Sequence, residues 1–166
     1  ESLGPFLIIA EIGLVVFLVA HVVLGLAVTF GNWSARPVSY KLDRKKGGRN
    51  VVSSTMIWTG ILVLIFIVVH LINLKFGEHG VLDGNKDLYT STLALFASPA
   101  YAIGYIIGVA MVGLHTAHAI QSGFRTIGVH NDKYTPKITA FSWGFGVVVF
   151  LGYASIPIWA YLGRAG

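Results

Sequence analysis

Apolar residues occur along this chain in long, nearly continuous blocks, at about 5–30, 54–76, 98–124 and 138–162, with polar residues gathered between them. A helix rises about 1.5 Å per residue, so roughly 20 residues cross a hydrocarbon core of about 30 Å. Each block is long enough. In lipid every backbone polar group must be satisfied internally, which leaves helices or a closed barrel. Barrel strands are short and alternate in polarity, whereas these blocks are long and uninterrupted. The pattern predicts an all-α transmembrane bundle with four membrane-spanning helices, forming one integral-membrane domain over residues 1–166.

Composition agrees. Hydrophobic residues make up 55% of the 166 and charged residues 11%, against about a quarter charged in a typical soluble domain; mean hydropathy is +0.73. There is no cysteine, which excludes cysteine-ligated iron–sulfur clusters, c-type haem attachment and disulfides within this sequence. The first residue is Glu1, with no basic segment ahead of the first apolar block, so this block reads as a span and not as a signal peptide. The absence of an initiator Met marks a processed chain or a fragment.

Charge then orients the spans. The first loop carries Arg36, Lys41, Arg44, Lys45, Lys46 and Arg49. The second, between about 77 and 97, has Lys86 with Glu78, Asp83 and Asp87, and the third has Arg125, Lys133 and Lys137. Basic loops stay cytoplasmic, which predicts loops one and three inside and both termini outside. Trp33, Trp58, Trp143 and Trp159 fall near span ends, where aromatic belts form. The pI of about 9.6 therefore follows from topology and does not indicate a nucleic-acid partner.

Ionisable residues inside spans are rare and usually functional. His79 and His130 fall in loops; His21, His70, His115 and His118 fall in spans. His21 and His115 each lie nine residues from the cytoplasmic end of their blocks, about 14 Å deep. Two neutral imidazoles at one level suit the axial positions of a six-coordinate b haem. His118 is about 4 Å shallower and 60° round the helix from His115, a poorer match. His70 lies about 9 Å from the outer end of its block, with no second span histidine at its level. It is either a lone hydrogen-bonding residue or a ligand whose partner lies elsewhere. Gly104 and Gly108 share a face with His115 and read either as a helix-packing pair or as space for a second flat macrocycle. Glu11, near the outer end of the first block, is either interfacial or a proton acceptor beside a redox site.

Taken with these histidines, ARPVSYKL, STMIWTGILVLIFIVVHL, the third-span segment and NDKYTPKI resemble the di-haem cytochrome b membrane subunit of bacterial succinate:quinone oxidoreductases (succinate dehydrogenases and fumarate reductases). The likeness covers nearly the whole chain. It implies a five-helix bundle with two stacked b haems, and four of those helices are represented here. His21 and His115 match the ligands of the haem proximal to the cytoplasmic subunits. His70 matches a distal-haem ligand, whose partner belongs to the family's first membrane helix, a histidine-bearing helix not in this sequence. The second position of the HxxH stretch varies in the family, leaving His118 a candidate contact to a haem propionate. Gly113 stands where some fumarate reductases have a glutamate, so a proton route of that kind is not implied. The resemblance further implies a flavoprotein and an iron–sulfur subunit as partners, a quinone (menaquinone expected) as electron acceptor, and a bacterial inner-membrane location; Glu11, by its depth in the first block, is the candidate quinone residue. Two alternatives stand beside it: a haem b subunit of a formate dehydrogenase or hydrogenase, and a haem-free scaffold or transporter whose histidines carry protons.

Overall fold

A computed structural model describes residues 4–35, 51–76, 87–129 and 131–163. Among the described residues all regular structure is helical: α1 (Gly4–Ser34), α2 (Val51–Leu71) continuing into a π-helical turn (Ile72–Phe76), α3 (Leu88–Leu95), α4 (Pro99–Thr126) and α5 (Thr135–Leu162). Four helical segments are long and apolar enough to cross a membrane: Gly4–Ser34, Thr55–Phe76, Pro99–Thr126 and Thr135–Leu162. These match the four apolar blocks to within a few residues at each end. Arg36, Lys41 and the other basic residues of the first loop, together with His79 and His130, lie outside the described residues.

The chain divides into two units, Glu1–Gly48 and Arg49–Gly166. The first contains α1, a single continuous helix. Near its C-terminal end Thr29 Oγ1 donates to the Gly25 carbonyl at 2.8 Å, and Phe30 and Trp33 meet edge to face.

The second unit is built around α4. Pro99 occupies the first turn of this helix, where its missing N–H leaves no intrahelical bond unmade. At the other end Gly128 adopts φ +83°, a left-handed conformation that glycine takes without a steric penalty. The chain then reverses through Asn131, whose Oδ1 accepts the backbone N–H groups of Lys133 and Tyr134, and enters α5. The resulting α4–α5 hairpin is the most extensive helix contact, and α2 packs on another face of α4. Pro157 lies inside α5, buried, and the helix continues past it.

What is buried in this unit is mostly small. Gly108, Gly113, Ala117, Ser142, Gly146, Ala154 and Ala160 are buried, while Trp58, Phe76, Val148 and Leu151 are exposed. In lipid the apolar driving force between helices vanishes and close backbone approach takes its place. The closest approach lies between Gly113 and Gly146: a Cβ on Gly113 would stand 2.7 Å from the Gly146 carbonyl oxygen, and one on Gly146 would stand 2.6 Å from that of Gly113.

One element departs from expectation. Part of the span read as the second loop is helical, α3. Asp87 caps it, accepting the Thr90 backbone N–H at 2.7 Å, and this bond holds the carboxyl below its ordinary pKa. Leu95 and Phe96 then bury against Ala102, Tyr105 and Ala160, with Leu74 of the π turn packed alongside. Eight residues cannot span a bilayer, so block length gave no signal for this helix. Its signal was local, an N-capping Asp ahead of an apolar run.

Candidate functional site

The buried chemistry of the second unit follows the two contact faces of α4. On the α2 side, Thr59 Oγ1 lies 3.1 Å from His115 Nδ1. Thr59 is 8% exposed and also reaches back to the Met56 carbonyl at 3.0 Å. Gly60 allows this arrangement, since a Cβ there would stand 3.2 Å from Cε1 of the His115 ring. His115 is thus held half-buried against α2, one nitrogen engaged by a hydroxyl and the ring in contact with glycine.

Eleven residues further along α2 is His70, about 16 Å by helical rise. It is exposed, and its ring lies 6.0 Å from the ring centroids of both Phe66 and Tyr105. Tyr105 is the hub of an aromatic cluster, meeting Phe66 and Phe96 edge to face and accepting a long bond of 3.4 Å from Asn73 Nδ2. The seam between α2 and α4 therefore carries two histidine stations at different levels.

Between the stations runs an apolar groove of about 250 Å³, its walls including Leu62, Phe66, Val69, Tyr101, Gly104 and Gly108. The two glycines differ. Gly104 has nothing within 4 Å of a notional Cβ, whereas Gly108 lies directly beneath the Phe66 ring. A flat ring does rest on Gly108, but it is the chain's own. A macrocycle at that position would have to displace Phe66, while Gly104 keeps open space. The backbone-to-backbone packing expected of this glycine pair occurs instead at Gly113 and Gly146.

His118 belongs to the other face. It is 6% exposed and meets Trp143 of α5 edge to face at 5.8 Å. Its Nδ1 and the neighbouring Gln121 Nε2 are buried without a hydrogen-bond partner among the described residues, and beside Gln121 is a cavity of about 10 Å³, room for one water. Enclosed between α4 and α5, His118 packs inside the hairpin, on a different face of α4 from His115. His21 and Glu11 both lie on α1, ten residues or about 15 Å apart along that helix.

Among the described residues no three His, Cys, Asp or Glu side chains gather at one point. A porphyrin brings its own four equatorial nitrogens and asks the protein only for axial donors, so a histidine on a span needs no cluster of side chains beside it to serve such a group. Thr59, Gly60 and Gly146 were not singled out from the sequence. Thr59-Gly60 one helix away from a histidine has no distinguishing pattern, whereas Ser142, Gly146 and Gly113, Ala117 each show the small-xxx-small spacing of close helix packing. Comparison with protein-family models, with curated proteins and with solved structures finds no match.

Proposed function

We propose that this chain is the haem b membrane-anchor subunit of a succinate dehydrogenase or fumarate reductase, carrying electrons between an iron–sulfur subunit and the membrane quinone pool. The observation that supports it most is His115, an imidazole within a span, with Nδ1 engaged by Thr59 and room made by Gly60. An oriented imidazole with its second nitrogen hydrogen-bonded is the usual state of a metal-ligating histidine. His115 and His21 would hold the iron of one haem, and His70 one side of a second, completed by a histidine-bearing helix outside this sequence. When bound, haem supplies reversible one-electron chemistry. The chain's own residues position it, keep it dry and anchor the flavoprotein and iron–sulfur partners through the basic loops at the cytoplasmic side of a bacterial inner membrane. Glu11 stands beside the quinone, menaquinone in this reading, as proton acceptor. The choice of succinate over formate or hydrogen rests on the loop segments ARPVSYKL and NDKYTPKI.

The test is a reduced-minus-oxidised spectrum of the purified membrane protein. Low-spin haem b is expected, with His21→Ala and His115→Ala each abolishing the same component and His70→Ala abolishing a different one. A preparation that is folded, retains its subunits and shows no haem b signal would refute the proposal. Co-purification of a formate-oxidising or hydrogen-oxidising partner would transfer the chain to the rival class.

A further inference from the structure

The Thr59 hydroxyl makes two contacts. Its Oγ1 lies 3.0 Å from the Met56 carbonyl oxygen, three residues back on α2, and 3.1 Å from Nδ1 of His115 on α4. A hydroxyl carries one hydrogen and two lone pairs, and a carbonyl oxygen can only accept. The Met56 contact therefore takes the hydrogen. What Oγ1 offers His115 is a lone pair, which makes a hydrogen bond only if Nδ1 carries the proton. A neutral imidazole has a single N–H, so Nε2 must then hold the lone pair. The opposite arrangement, with the hydroxyl hydrogen turned to Nδ1, would put the proton on Nε2 and close that nitrogen to a metal.

Two features hold the arrangement in place. Back-bonding of a threonine hydroxyl to a carbonyl of its own helix is a recurrent local contact, and a buried Thr59 has little water to compete for its hydrogen. Gly60 lets the ring's Cε1 edge reach α2, where a Cβ would stand 3.2 Å away, so the ring sits against the helix that carries its hydrogen-bond partner.

We infer that Thr59 is a positioning residue for His115: it fixes the Nδ1–H tautomer and so presents Nε2 as an electron-pair donor to an axial ligand site. The tautomer is inferred from the two Oγ1 contacts; that a haem iron receives the lone pair rests on the function proposed above. Hydrogen bonding at Nδ1 raises the donor strength of Nε2, and loss of such outer partners typically costs 10–100-fold in metal affinity.

The experiment compares the full chain in bilayers, ¹⁵N-labelled at histidine, with Thr59→Val and Thr59→Ser, the His115 resonances being assigned by their loss in His115→Gln. The wild-type chain should show a protonated Nδ1 and a bare Nε2, and Thr59→Val should lose that preference. In haem-loaded protein Thr59→Val should weaken retention of the His115 haem by about 10–100-fold. It should also shift that haem's midpoint potential upward, because a weaker donor stabilises ferric iron less; Thr59→Ser should restore both. A wild-type His115 protonated at Nε2 would overturn the inference, as would Thr59→Val indistinguishable from wild type in tautomer, haem retention and potential. If no variant binds haem, the proposed function fails and the tautomer comparison alone decides the role of Thr59. If Thr59→Val does not fold, the wild-type tautomer and the Thr59→Ser haem data decide it.

Discussion

His115 and His118 are one helical turn apart and serve different helices. Residue chemistry does not separate them; what each ring touches does. His115 meets a hydroxyl and a glycine on α2, and His118 meets Trp143 on α5. Depth along the helix places His115 ahead of His118, but the enclosure of His118 is not legible in the sequence, because sixty degrees of rotation says nothing about which neighbour fills that direction. Replacing His118 by Phe keeps the edge-to-face contact and removes a buried nitrogen that has no partner among the described residues, a group whose burial costs about 1–3 kcal/mol. His118→Phe is therefore expected to leave the haem spectrum unchanged and to be neutral or stabilising in detergent unfolding, whereas His115→Phe loses haem. Asp87 gives a prediction in pH. Its folded pKa is depressed by the Thr90 N–H bond, so the capping contribution is fully present above the ordinary carboxylate pKa of about 3.9. It is lost as pH falls through the lower folded value. Amide exchange across 88–95 should accelerate over that acid range in wild type, and the acceleration should be absent in Asp87→Asn.

At the scale of elements, the spans were readable because lipid imposes one length and one polarity on every segment that crosses it. The short α3 was not readable by that rule, since it obeys capping and local burial instead. The pairing of α4 with α5 rests on Gly113 and Gly146, where each backbone oxygen fills the space the other's side chain would need, and on Ala117, whose Cβ lies 3.0 Å from where a Gly146 Cβ would stand. A backbone cannot move aside as a flexible side chain can. Gly146→Leu should therefore cost at least the 1–3 kcal/mol usual for overpacking, read as a lowered midpoint in mixed-micelle unfolding. Gly104→Leu should cost far less, because a Cβ at Gly104 meets nothing within 4 Å. Equal losses at the two positions would contradict the assignment of Gly146 as the closest crossing.

Outside the Leu95, Phe96 and Tyr105 cluster, the second unit buries mainly small side chains between α4 and α5 and leaves many large apolar ones exposed. Orientation in the membrane is read only from the loop charges. Because the sequence has no cysteine, single cysteines report topology against a silent background. With loops one and three cytoplasmic, a membrane-impermeant maleimide applied to intact cells should label Asp87→Cys and leave Lys45→Cys and Lys133→Cys unlabelled until the cells are opened. Labelling of Lys45→Cys together with Asp87→Cys in intact cells would refute the four-span alternation.

The π-helical turn at Ile72–Phe76 begins two residues after His70. Such a turn holds about one residue more than an α-helical turn, so it is a place where the chain length of the span is negotiable. Removing one residue between 72 and 76 would relax the turn to ordinary α-helix and leave everything before His70 in register. The same deletion between Thr59 and His70 would rotate one histidine station by about 100° relative to the other. A scan of single-residue deletions through this span should therefore find one tolerant window, and it should begin just after the histidine.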